Sequence, residues 1–154
     1  MAAVRSKPKS WRYENTVRWQ GEKKGVLSAA GKPDIQMATP PEFRGHPDIW
    51  TPEDLFVASV NCCIMTTFLY YAARMQIELV SYRSTADGTV ESRPDGLLFT
   101  TVNVEPHVLV ASDEDRSKAQ EAMERSEKAC LISRSANAAI VVRSDIATRA
   151  HETT

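Results

Sequence analysis

Three cysteines carry most of the chemistry this chain could do, and they are unevenly placed: Cys62 and Cys63 are adjacent, and Cys130 lies far downstream. Cys63 sits deep in an almost wholly apolar run, and Cys130 closes an amphipathic one. In a reducing compartment permanent disulfides add little. Cysteines that matter there bind metal, attack a substrate, or cycle between thiol and disulfide. Metal is the weakest of the three, because the adjacent pair has few other ligands near it and the chain holds only 3 His. The bland alternative is ordinary packing, the commoner fate of a free buried cysteine.

Reactivity belongs to the thiolate, and burial among apolar groups alone keeps a thiol protonated and inert. Cys63 lies about three turns inside its helix, beyond reach of the dipole at the N-terminus. If it is a nucleophile, a cation must reach it from elsewhere. Cys130 falls at the negative end of its helix, which suits a resolving thiol better than a first attacker. Cys62 and Cys63 are about 100° apart around a helix, so only one of them can face Cys130. Spacing alone does not choose between them.

The elements that must position these thiols are legible. Tyr13–Trp19 and Val26–Ala29 are rich in β-formers and flank the turn Gln20–Gly25, which predicts a hairpin. A short strand over Ile35–Ala38 ends at Thr39-Pro40-Pro41, and Glu42–Trp50 reads as a loop. Thr51 then offers a capping hydroxyl, Pro52 suits the first helical position, and Glu53 and Asp54 put negative charge at the positive end of the dipole. The helix they open should run from Pro52 to about Arg74. Strands over Glu78–Ser92 and Leu97–Val110 follow, joined by Arg93-Pro94-Asp95-Gly96, with Asp87-Gly88 placed to bend or split the first. Ser112 caps a second helix, whose small-residue stripe Ala119, Ala122, Met123, Ser126, Ala129 ends on Cys130. A last strand covers Ala139–Arg143. The order β-β-β-α-β-β-α-β predicts an α+β fold in which a sheet wraps round buried helices.

At 154 residues the chain is expected to form one domain, with an N-terminal arm over 1–12 and a flexible tail over 148–154. A net charge of −1 does not favour a nucleic-acid backbone or an anionic membrane surface as partner. The run Leu55–Ala73 approaches the roughly 20 residues of a membrane span. Ser59, Asn61 and the pair Thr66-Thr67 interrupt it, and a helix buried on all sides is the better reading. The basic start M-A-A-V-R-S-K-P-K-S has no apolar stretch after it, so no secretory signal is expected and cytoplasm is the default.

The stretch from Thr51 through Pro52-Glu53 to Asn61-Cys62-Cys63 resembles the helix motif of the OsmC/Ohr family of peroxide reductases. In that motif a Pro-Glu pair opens the helix and the reactive cysteine follows the proline by eleven positions, which lands on Cys63. Cys130-Leu131-Ile132-Ser133 resembles the family's second signature, Cys-Pro-x-Ser, with Leu131 in place of the proline. The element order also matches, over about residues 13 to 146. The resemblance implies an intertwined homodimer that reduces hydroperoxides, chiefly organic ones, without metal, haem or flavin. It implies that Cys63 attacks the peroxide and becomes a sulfenic acid, that Cys130 condenses with it to a disulfide, and that an external dithiol restores both. Dihydrolipoyl groups serve as that dithiol in relatives. The family also uses a glutamate and an arginine near the thiol. Glu53 matches the first by position. Arg44, in the loop before the helix, is the choice for the second, over Arg18, Lys23 and Lys24 in the first hairpin. The rival expectation is a non-catalytic dimer of the same fold that binds an apolar small molecule.

Overall fold

The computed structural model describes residues 9–149, so most of the expected arm and the end of the expected tail lie outside the described residues. The chain divides into two compact units, Met1–Glu53 and Asp54–Thr154.

In the first unit β1 (Thr16–Trp19), β2 (Lys24–Ser28) and β3 (Ile35–Ala38) form an antiparallel sheet in the order β1-β2-β3. The β1–β2 turn closes because Gly21 takes φ 103° and the Trp19 indole N–H donates to the Glu22 carbonyl at 2.8 Å. After β3 the paired prolines end the ladder, and Pro41–Phe43 makes one 3-10 turn within the expected loop. Arg44 caps that turn with φ 58° and ψ 41°, a left-handed conformation costly for a residue with a Cβ. Three backbone bonds over-determine it: Arg44 N to Pro41 O, Gly45 N to Pro40 O, and His46 N to Thr39 O. A side chain at Gly45 would collide with the Thr39 carbonyl, so the close approach requires glycine.

The second unit is built on β4 (Leu79–Arg93) and β5 (Gly96–Val110), a long antiparallel pair. α1 (Pro52–Arg74) leads into it as one continuous helix with the expected bounds. α2 (Asp113–Ala129) is the crossover that lets β6 (Ala139–Val142) and β7 (Asp145–Thr148) return parallel to β5. β6 pairs along Thr101–Val104 and β7 along His107–Val110, so the two follow one another on the same edge of β5. A mixed α+β architecture results. β7 and the short helix α3 (Leu131–Ser135) were not expected. Thr148, read as the start of a loose tail, pairs with Val110, and Arg149 N–H donates to the Val110 carbonyl. A four-residue strand held by non-local pairing leaves little local signal.

Gly88 does not split β4. It pairs with Val102, and the register shifts fall elsewhere, between Leu79 and Ser81 and between Thr89 and Val90. The glycine answers to packing, because a Cβ there would lie 2.6 Å from Val57 Cγ2 and 2.8 Å from Phe99 Cε1. Alternate residues of β5, Val102, Val104, Val108 and Val110, supply one wall of the core. α1 lays Val60, Ile64, Phe68 and Ala72 into that core at four-residue spacing, and α2 adds Ala119, Ala122 and Met123. The expectation that α1 is buried on all sides is not met within one chain: Leu69 and Tyr70 are exposed on its other face. By length and composition α1 is apolar enough to cross a membrane, and 22% of its most apolar window is buried inside the chain.

Candidate active site

α1 presents Cys63 on the side that packs against the core, half-buried, with its Sγ 3.9 Å from Thr67 Oγ1 one turn on. Cys130 is fully buried at the junction of α2 and α3. Its backbone N–H closes α2 by donating to the Ser126 carbonyl, and its sulfur caps α3. The two thiols are close enough for Cys63 to perturb Cys130. Cys62, one position away, is exposed on another face of the helix. The 100° step per residue thus puts Cys63, and not its neighbour, opposite Cys130.

The Cys130 sulfur accepts from two groups of one residue, the Ser133 hydroxyl at 3.0 Å and the Ser133 backbone N–H at 3.4 Å. Burial pushes the Cys130 thiol above its ordinary value, and the neighbouring Cys63 thiol adds to that. The two Ser133 donors pull the other way, because they favour the charged sulfur. Leu131, where the resembled signature has proline, occupies the first position of α3. A proline is tolerated there because that N–H has no partner within the helix. The exchange therefore leaves the Cys130–Ser133 cap intact.

Glu53 lies in the first turn of α1, and its Oε2 is buried with no hydrogen-bond partner among the described residues. Ten helical positions separate it from Cys63, about 15 Å along a continuous helix. The two do not meet at one centre within a chain. Among the basic residues of the first unit, Lys23 donates to the Phe43 carbonyl at 2.7 Å and Lys24 pairs with Glu22 at 3.2 Å. Arg18, on exposed β1, and Arg44 hold no ion pair among the described residues. Among those residues no group of three or more His, Cys, Asp and Glu side chains is placed to hold a metal ion.

Ser84 and Tyr82 were not singled out from the sequence, and Thr67 and Asn61 only as polar breaks in the apolar run, not as site residues. Thr67 was legible in principle, since it stands four residues from Cys63 on the same helical face. The others depend on pairing between α1 and β4. The Ser84 hydroxyl donates to Asn61 Oδ1 at 2.6 Å. Ser84 is also the polar neighbour of the Tyr82 hydroxyl, but the geometry falls short, and that buried oxygen has no satisfactory hydrogen bond among the described residues. Burial pushes the Tyr82 phenol above its ordinary value; Ser84 opposes the shift and the Cys62 thiol adds to it.

A mixed sheet, a long apolar helix and a facing pair of thiols define an α+β dithiol protein. The OsmC-like protein family matches residues 45–145, and the chain belongs to it. Solved structures agree on the fold. An OsmC-like protein of unknown function from Vibrio cholerae superposes with a TM-score of 0.81 at 19% identity, over 88% of this chain and 100% of that one. An organic hydroperoxide resistance protein OsmC from Legionella pneumophila gives 0.68 at 18% identity, over 92% and 100%. An organic hydroperoxide resistance protein from Elizabethkingia anophelis gives 0.69 at 17%, over 92% and 100%. At such identities the likeness establishes the fold. No curated protein matches the sequence.

Proposed function

We propose that this protein is a thiol-dependent hydroperoxide reductase that acts on organic hydroperoxides in the cytoplasm, with Cys63 as the attacking and Cys130 as the resolving residue. The observation that carries the reading is the juxtaposition of Cys63, on the core-facing side of α1, with the buried Cys130, two thiols far apart in the chain. The Cys63 thiolate attacks the outer peroxide oxygen, the O–O bond breaks, and the alkoxide takes a proton to leave as an alcohol. Cys63 is then a sulfenic acid. Cys130 attacks its sulfur and expels the oxygen as water, forming the Cys63–Cys130 disulfide. An external dithiol, such as a dihydrolipoyl group, is oxidised to its own disulfide as both cysteines return to thiols. No bound cofactor is required.

The active form in this reading is a homodimer. Glu53 cannot reach Cys63 of its own helix, and its buried, unpartnered Oε2 lacks a donor. A second copy running antiparallel supplies Glu53 and Arg44 to the Cys63 of the first, and the guanidinium stabilises the thiolate. The exposed apolar face of α1 is the surface such a copy covers. The test is consumption of cumene hydroperoxide or tert-butyl hydroperoxide with a dithiol reductant. Turnover is expected. No turnover with any dithiol, while Cys63 stays reduced, would overturn the reading and favour a non-catalytic dimer that binds an apolar small molecule.

A further inference from the structure

Two thiols that form a disulfide are not equivalent when it is reduced, because an incoming thiolate attacks one sulfur and expels the other. We propose that the external dithiol attacks Cys63 and expels Cys130, and that Ser133 is the positioning residue that sets this direction by donating its hydroxyl and backbone N–H to the departing sulfur. The proposal rests on the redox reading above.

Three observations support it. Cys130 is fully buried in the core cluster, whereas Cys63 is partly exposed, so an attacking sulfur can approach only Cys63. Burial raises the Cys130 thiol, so a thiolate that departs into the core needs donors to offset that cost. Exchange is faster when the departing thiol is the more stable thiolate, and two donors already point at Cys130. Thr67 Oγ1, by contrast, lies at the longer distance of 3.9 Å from Cys63 Sγ. Finally, the donors are held in place. Ser133 stands in the first turn of α3, the helix that Cys130 itself caps, so O–H and N–H stay aimed at the sulfur whichever partner it is bonded to. The titratable group whose charge reaches Cys130 is Cys63 on α1.

The electrons balance over two exchanges. A thiolate of the dithiol attacks Cys63 Sγ, the Cys63–Cys130 bond breaks, and its electron pair leaves on Cys130 as a thiolate held by Ser133. The second thiol of the reductant, deprotonated, attacks the reductant sulfur of the mixed disulfide and expels the Cys63 thiolate. The reductant closes as a cyclic disulfide. The same donors act in the opposite direction when Cys130, as a thiolate, attacks the Cys63 sulfenic acid.

The test starts from full-length protein oxidised with diamide, so it needs no peroxide turnover. A limiting monothiol, 2-mercaptoethanol, is added, the reaction is quenched with acid, free thiols are alkylated, and peptides are mapped. The expected result is a mercaptoethanol adduct on Cys63 with Cys130 alkylated; an adduct on Cys130 would overturn the proposal. In parallel, dithiothreitol reduction of the oxidised chain is timed. Ser133→Ala should be about tenfold slower, the scale of one hydrogen bond to a charged sulfur, and Ser133→Thr should restore the rate. A merely structural role would not move the acidity of Cys130. In a Cys62→Ala, Cys63→Ser background its thiolate absorbance should titrate about one pH unit higher with Ser133→Ala and return with Ser133→Thr. An unchanged rate and titration would remove Ser133 from the mechanism. Failure of diamide to form any Cys63–Cys130 disulfide would overturn this proposal and the redox reading together, whereas a Cys130 adduct would overturn this one alone.

Discussion

Cys62 and Cys63 are neighbours in the chain and opposites in environment: Cys62 is exposed on α1, while Cys63 packs on the core beside Cys130. One helical step separates a surface thiol from one packed on the core. Under mild peroxide, peptide mapping should find a Cys63–Cys130 disulfide within one chain. Cys63→Ser should abolish peroxide consumption, Cys62→Ala should retain it, and Cys130→Ser should leave a thiol that over-oxidises to the sulfinic state. Recovery of a Cys62–Cys130 disulfide would show that the two faces of the helix have been misassigned.

Stability should fall at alkaline pH in the reduced protein. Burial favours the neutral Cys130 thiol, so the folded chain holds that proton more tightly than the unfolded chain does. The contribution is complete below about pH 8.5, where the unfolded thiol titrates, and is lost as pH rises through the higher folded value. Tyr82, also raised chiefly by burial, acts in the same direction from about pH 10 upward. Urea midpoints from pH 7 to 10.5 should decline less steeply in Cys130→Ala than in the parent, and Tyr82→Phe should flatten only the upper part. Parallel slopes in all three proteins would contradict this assignment.

Gly88 is required by what packs over it. Gly88→Ala forces a methyl against Val57 and Phe99, and overpacking of this kind costs about 1–3 kcal/mol. Val57→Ala removes one of the colliding groups, so the double variant should be less destabilised than the sum of the two singles. Denaturant unfolding of the four proteins measures this. Simple additivity would mean that the strand accommodates the methyl without touching α1.

A site shared between copies predicts complementation. Chains carrying Cys63→Ser, co-refolded with chains carrying Arg44→Ala and Glu53→Ala, should yield hybrid dimers with one intact site and roughly half the parental activity per dimer. Light scattering at micromolar concentration should give twice the chain mass. Gly45→Ala should mimic loss of Arg44, because it disrupts the turn that holds Arg44 in its left-handed conformation. A stable, active monomer, or verified heterodimers without activity, would count against the shared site.

The sequence by itself determined the local structure. Pro52 with Glu53 and Asp54 opens α1, Ser112 caps α2 by accepting from the Asp115 N–H at 3.1 Å, and the turn before Gly96 joins β4 to β5. Each is written in a few adjacent residues, because caps, turns and dipole complementarity act over one turn of chain. Tertiary structure alone decided which thiol faces Cys130, why Gly88 is a glycine, and that Ser133 aims two donors at a sulfur. It also brought β7 to the edge of β5 with four residues that carry no strong signal of their own. These are contacts between elements distant in sequence. They depend on the rotation of α1 over the sheet, which the chain settles only when Val60, Ile64, Phe68 and Ala72 are buried together.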